Sequence, residues 1–239
     1  MTPQRSNAYH SFGYYNLRDY ALADKKTGIE QLGARHRFID LDRVGIYGHS
    51  GGGFLTAAAL MLPPYNDFFK VGVSSAGNHD NNIYNQNWSE QHHGLRVITE
   101  RRDTTQRRDT TQRGRGGVTN GGSGGARTQA QQGRNGARVV AVDDSTRYEI
   151  RVPTNAELAA NLKGKLLLVH GDMDNNVHPG NTIRLVDALI KANKRFDMMM
   201  LPGQAHGFGP MQPYFNRMLM EYFAEHLMGD YYRSSAEIR

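Results

Sequence analysis

Three short stretches of this sequence carry residues whose types and spacing suit acyl transfer. The first, Gly48-His49-Ser50-Gly51-Gly52, is a G-x-S-x-G. A pentapeptide of this kind serves a nucleophile where a strand hands over to a helix through a turn so sharp that flanking side chains would collide. Glycine therefore stands on both sides of the serine. The turn lifts the Ser50 hydroxyl above the sheet and lets the Gly51 N–H, at the helix start, donate to a developing oxyanion. A serine hydroxyl needs a base, and the base needs a carboxylate to orient it. His206, in Pro202-Gly203-Gln204-Ala205-His206-Gly207, supplies the base, and Gly171-Asp172-Met173-Asp174 supplies two carboxylates. Asp172 lies nearer the preceding apolar run and Asp174 two residues further out. Spacing does not choose between them.

Such groups need a rigid platform, and the patterning around them predicts one. RVGIYG at 43–48 is a short β-rich run leading into the serine turn, with a helix-like stretch from Phe54 to Met61 beyond it. KVGVSS at 70–75 is a second β-rich run. KLLLVH at 165–170 is apolar nearly throughout, as a strand buried on both faces should be. It runs into the two aspartates, and FDMMML at 196–201 runs into the histidine loop. Helical spacing is seen over Thr182–Ala192, through Ile183, Val186, Leu189 and Ile190. It recurs from about Pro213 to Leu227, through Phe215, Met218, Leu219, Tyr222 and Phe223. Asn16 can cap a helix running to about Ala34, with Leu17, Tyr20, Ile29 and Leu32 near one face. Strands alternating with helices make this an α/β chain with a mostly parallel sheet flanked by helices. The acid and the histidine then lie on loops at the strand ends where such sheets bind ligands.

The net charge of +6 invites a nucleic-acid reading, but its location argues otherwise. Nine arginines and three acids lie between Glu100 and Arg138, and the rest of the chain balances 20 basic against 20 acidic residues. The segment 99–138 repeats RRDTTQ at 101–106 and 107–112 and then becomes Gly-rich. It has almost no apolar side chain to offset the entropy cost of ordering, so it reads as a disordered, solvated Arg/Gly-rich insertion. The catalytic domain is then 1–98 with 139–239. Binding of a polyanion by the insertion is the secondary reading; nucleic acid is not an expected partner. With no cysteine, disulfides and thiolate metal sites are excluded. His79, His92, His93 and His178 lack a metal-binding spacing, so neither metal nor cofactor is expected. There is no apolar run long enough for a membrane span, and no signal-peptide pattern at the start of the chain.

Taken together, Gly48-His49-Ser50-Gly51-Gly52-Gly53, His170-Gly171-x-x-Asp174-x-Asn176-Val177-His178 and His206-Gly207 resemble the prolyl oligopeptidase family of serine peptidases, in particular its dipeptidyl-peptidase IV branch. The resemblance spans nearly the whole chain outside the insertion and implies an α/β-hydrolase fold. It also implies that Asp174, four residues after the His-Gly histidine, is the acid. The 32 residues from Asp174 to His206 match the family. The 124 from Ser50 to Asp174 fall to 84, close to the usual spacing, once the 40 of the insertion are set aside. By the same resemblance, Tyr84 and Trp88 share a helix face and wall a flat pocket suited to proline. Val177 adds a third wall, and Asn176 binds a substrate carbonyl. The family's second aromatic is tyrosine where this chain has Trp88.

The expected function is hydrolysis of peptide bonds through an acyl-enzyme, dipeptidyl-peptidase-like, with preference for Pro/Ala-type residues. An esterase or acylaminoacyl hydrolase is one alternative, and a fragment without activity is another. Complete members place several strands, a second oxyanion donor from a tyrosine, and a β-propeller upstream of the serine. Ser50 stands only 49 residues after Met1, and Tyr14, Tyr15 and Tyr20 are not placed like that tyrosine. A truncated, partial α/β-hydrolase with an exposed sheet edge is therefore expected. Losing one oxyanion donor costs about 100- to 1,000-fold in turnover. A peptide substrate and a homo-oligomer fit the resemblance, as does a periplasmic or secreted parent protein.

Overall fold

The computed structural model describes residues 5–99, 146–150 and 152–229. The chain divides into two compact units, one of residues 1–96 with 150–239 and one of 97–149. Apart from Thr99, the predicted insertion lies outside the described residues.

The larger unit is built on a four-stranded sheet of β1 (Val44–His49), β2 (Phe69–Ser75), β5 (Lys165–Gly171) and β6 (Asp197–Leu201), hydrogen-bonded in that order. Every neighbouring pair is parallel. Between β1 and β2 the chain passes through helix α3 (Gly51–Ala59) and the short α4 (Tyr65–Phe68), and between β5 and β6 through α6 (Gly180–Lys191). This is the α/β arrangement that the alternating pattern predicts. The short α1 (Asn7–His10) and the longer α2 (Leu22–Arg35) precede the sheet. Helix α5 (Gln86–His93) follows β2, and α7 (Gln212–Phe223) follows β6, running on into a turn of π-helix at Ala224–Met228. In a second, two-stranded sheet, β3 (Arg96–Thr99) pairs with β4 (Thr146–Glu149). Among the described residues no helix is long and apolar enough to cross a membrane.

Strand β5 shows why the sheet is filled on both faces. Side chains alternate along a strand, and here both sets are apolar and buried. Leu166 and Leu168 join a core cluster with Leu22, Phe69, Leu185 and Leu189, while Leu167 and Val169 join a second one with Val73, Leu201, Phe215 and Met218. The first cluster draws on α2, α3 and α6, and the second on α7. The sheet is therefore a middle layer between helices.

Element positions differ from the sequence reading where anchoring contacts outweigh apolar spacing. The first long helix begins at Leu22, not Asn16, because the preceding turn is tied down by Arg18. The Arg18 side chain is buried and donates to Thr154 O at 2.6 Å and to the Asp19 carboxylate. The buried face is accordingly set by Leu22, with Ile29 packed beside it, while Tyr20 and Leu32 are exposed. Helix α3 begins three residues earlier than read, at Gly51, since its three opening glycines hide its start. In α6, Leu185 and Leu189 are buried, whereas Ile183 and Ile190 face solvent.

Candidate active site

Ser50 occupies the junction of β1 and α3 with φ 58° and ψ −122°, a conformation that a non-glycine residue adopts only under constraint. The constraint is visible. The Ser50 N–H donates to Ser75 O at 2.9 Å, and its carbonyl accepts from Phe54 N–H at 3.0 Å. The turn is tight enough that a Cβ at Gly48 would lie 2.1 Å from Gly52 O. On the other side the expectation needs correcting. A Cβ at Gly52 would meet nothing within 4 Å, while one at Gly53 would lie 2.7 Å from Ser75 O. The second sterically required glycine is therefore Gly53, which faces β2. Gly51 opens the helix, so its N–H has no intrahelical partner.

The loop after β5 presents its two aspartates differently. Asp172 is exposed, whereas Asp174 is buried, at 3% exposure, and satisfied on both oxygens. Its Oδ1 accepts from the N–H groups of Asn176 and Val177, both at 2.9 Å, and its Oδ2 accepts from His206 Nδ1 at 2.7 Å. Burial alone would raise the Asp174 carboxyl; the His206 hydrogen bond and the two backbone donors outweigh it and hold the group below its ordinary value. With Nδ1–H given to a carboxylate, the free lone pair of His206 is on Nε2. His206 stands on the loop after β6, half-buried, with the ring of His49 4.7 Å from its own. His49 Nδ1 bonds Ser75 Oγ at 2.8 Å, and burial, then the neighbouring His206, push its pKa down. Among the described residues no hydrogen bond joins Ser50 Oγ to His206.

A second histidine, which the sequence reading used only as part of a motif, braces the acid. His170 is fully buried at the end of β5, with Nε2 2.8 Å from Val177 O and 3.2 Å from Asp174 Oδ2, and Nδ1 2.7 Å from Thr182 Oγ1. Two oxygen acceptors at Nε2 fix the proton there, and burial keeps the ring neutral by lowering its pKa. The His170 ring thus clips the 174–177 turn shut. The signal for it was a histidine at the end of an all-apolar strand, four residues before an acid.

Tyr84 and Trp88 do meet, with ring centroids 5.3 Å apart and edge-to-face, but they do not share a helix. Tyr84 ends a 3-10 turn (Asn81–Ile83), and Asn85 caps α5 by accepting from Trp88 N–H at 3.2 Å. An asparagine at that position makes a better cap than a helix interior residue, which is why the helix starts after it. The Tyr84 hydroxyl donates to Asn176 Oδ1 at 2.7 Å, joining the aromatic stretch to the acid loop. Val177 is buried at 1% exposure, with its N–H on Asp174 and its carbonyl on His170. Among the described residues no group of three or more His, Asp or Glu could hold a metal ion.

The chain matches the model of the prolyl oligopeptidase family over residues 2–113 and 138–230. It is 26% identical to human dipeptidyl peptidase 8 over 215 residues, which cover 89% of this chain and 19% of that protein. Against venom dipeptidyl peptidase 4 of Apis mellifera it is 25% identical over 202 residues, or 84% of this chain and 20% of the relative. The crystal structure of Porphyromonas gingivalis dipeptidyl peptidase 4 superimposes with a TM-score of 0.63 at 21% identity. It covers 93% of this chain and 25% of that one. The chain thus spans about a fifth of the length of the curated relatives it matches. The shared fold is that of the α/β-hydrolase layer.

Proposed function

Since the chain belongs to the prolyl oligopeptidase family, we propose that it carries the acyl-transfer machinery of a serine peptidase, with Ser50 as nucleophile, His206 as base and Asp174 as the orienting acid. The observation that carries this reading is the buried Asp174 carboxylate on His206 Nδ1 at 2.7 Å, on the loops beside the strained Ser50 turn. Ser50 Oγ attacks the peptide carbonyl carbon as its proton passes to His206 Nε2. The Gly51 N–H donates to the oxyanion. The tetrahedral adduct collapses by breaking the C–N bond, with His206 returning the proton to the leaving amine. Water, deprotonated by the same nitrogen, then releases the acyl group and restores Ser50. Asp174 keeps its charge throughout and stabilises the imidazolium.

For recognition, the edge-to-face pair of Tyr84 and Trp88 offers an apolar corner for a proline- or alanine-type side chain. Asn176 donates from Nδ2 to a substrate carbonyl, its Oδ1 being held by Tyr84. Val177, at 1% exposure, is too buried to serve as a third wall and instead holds the Asp174 turn through its backbone. The relatives named as dipeptidyl peptidases favour removal of dipeptides from a peptide's amino terminus. Labelling with a fluorophosphonate probe tests the machinery. The wild-type chain should label, and Ser50→Ala should abolish the signal; no labelling of a folded wild-type chain would remove the proposal.

A further inference from the structure

The stretch that presents Tyr84 has little apolar core of its own. Asn78, His79, Asp80 and Asn81 are buried yet polar, and Ile83, its aliphatic residue, is exposed. Apolar burial cannot place such a segment, so hydrogen bonds must. Some of them run from Asn155 to His79 and from Ser89 to Asn81 O, and the set that reaches α6 converges on Asp80. Its Oδ1 accepts from the Asn82 N–H at 3.0 Å and from the Asn82 amide at 2.9 Å. Its Oδ2 is paired with the guanidinium of Arg184, and its own N–H donates to Asn181 Oδ1 at 3.0 Å. Asn181 and Arg184 stand in the opening turns of α6, the helix that leaves the loop bearing Asp174 and Asn176. Asn82 in turn exchanges hydrogen bonds with the backbone of Val152, tying in a third segment.

We infer that Asp80 is a positioning residue for substrate recognition: with Arg184 and Asn181 it locks the aromatic-bearing stretch to the acid-bearing loop and so sets the contact between Tyr84 and Asn176. The consequence is chemical. An asparagine side chain can turn either its donor or its acceptor toward a ligand, and the two choices recognise opposite groups. With Oδ1 held by the Tyr84 hydroxyl, Asn176 offers its donor, Nδ2, the group that a peptide carbonyl needs. Without the Asp80–Arg184 pair the 78–84 turn is tied to α6 only through the Asp80 N–H on Asn181, the hydroxyl shifts off Asn176, and the amide is free to rotate. The role assigned to Asn176 rests on the peptidase reading above; the clamp itself does not.

The sequence supplies its own reporter, since Trp88 is its single tryptophan and its ring, stacked on His92 of its own helix, also meets Tyr84. In the full chain, Trp88 emission and acrylamide quenching are compared for wild type, Asp80→Ala, Arg184→Gln, Arg184→Lys and Tyr84→Phe, with melting followed by circular dichroism. Arg184 is largely exposed, so its variants should fold even if Asp80→Ala does not. Folded Asp80→Ala and Arg184→Gln should shift Trp88 emission to the red and quench faster, with Arg184→Lys between them and wild type. Emission and quenching that stay at wild-type values in folded Arg184→Gln overturn the inference. Titration with the dipeptide Gly-Pro, read by the same fluorescence, separates this from the peptidase reading. Binding weakened about tenfold in Arg184→Gln and in Tyr84→Phe, with no further loss when both are changed, supports positioning through Tyr84. Additive losses overturn it. Failure of the wild type to bind Gly-Pro counts against the peptidase reading, while the emission comparison still decides the clamp.

Discussion

Asp172 and Asp174 have the same chemistry and stand two residues apart, and only folding separates them. The backbone after Asp174 curls back so that the N–H groups of Asn176 and Val177 both reach its Oδ1, leaving Oδ2 for His206. Asp172 has no comparable set of donors among the described residues. Spacing left the two aspartates undecided because both lie within reach of a loop histidine. The decisive quantity is burial with full satisfaction, which no spacing encodes. Asp174→Asn should lower the rate of fluorophosphonate labelling on the order of 10⁴-fold, because the amide would hold His206 in the wrong tautomer. Asp172→Asn should label near the wild-type rate. Equal losses in the two variants would place the orienting acid elsewhere.

At the scale of elements, the turn between β1 and α3 distinguishes glycines that look alike in sequence. Gly48→Ala and Gly53→Ala each drive a Cβ into backbone, at 2.1 Å and 2.7 Å, which relaxes only by moving a strand or a helix. Each should destabilise the chain by about 2–4 kcal/mol, read as a fall in melting temperature. Gly52→Ala meets open space in the first turn of a helix, and should be neutral or stabilise by up to about 1 kcal/mol. A Gly52→Ala variant as unstable as Gly48→Ala would show that the turn is crowded at Gly52 as well. The strand–turn–helix itself was legible from RVGIYG followed by glycines, as were β5 and β6 from their apolar runs. Less legible were features set by contacts between distant residues. Arg18 meets Thr154 across 136 positions and Asp80 meets Arg184 across 104, so neither the start of α2 nor the anchoring of Tyr84 had a local signature. Asn85 did carry a cap signal, and reading Tyr84 and Trp88 onto one helix overlooked it.

For the molecule as a whole, the buried imidazoles set how stability responds to acid. His79 is buried, with Nδ1 2.9 Å from Asn155 Nδ2 and Nε2 3.5 Å from Ser74 Oγ. That amide donates, so Nδ1 must keep its lone pair, and burial pushes the ring down to about 3. His93, also buried, is pushed down to about 4, by burial and then by His92. A histidine depressed in the folded chain is neutral there while the unfolded chain, titrating near about 6.5, already takes up its proton. Between those two values the unfolded state binds more protons, so stability rises with pH and is lost as pH falls. Asp174, also depressed, acts in the same direction but only below the ordinary carboxylate range, as its carboxylate takes up a proton. The loss should therefore begin near pH 6.5, well above any carboxylate. For His79 alone it should reach about 2 kcal/mol by pH 5, on the basis of 1.36 kcal/mol per unit. His79→Phe keeps a ring of similar size, and Asn155 retains its other acceptor, Phe54 O, at 2.8 Å. The variant has a lower baseline, since His79 loses its bond to Asn155, yet its unfolding free energy between pH 7 and 5 should fall less steeply, by about one proton. Urea melts across that range measure the slope directly, and a slope unchanged by His79→Phe would mean that His79 takes up its proton in the folded chain as readily as in the unfolded one.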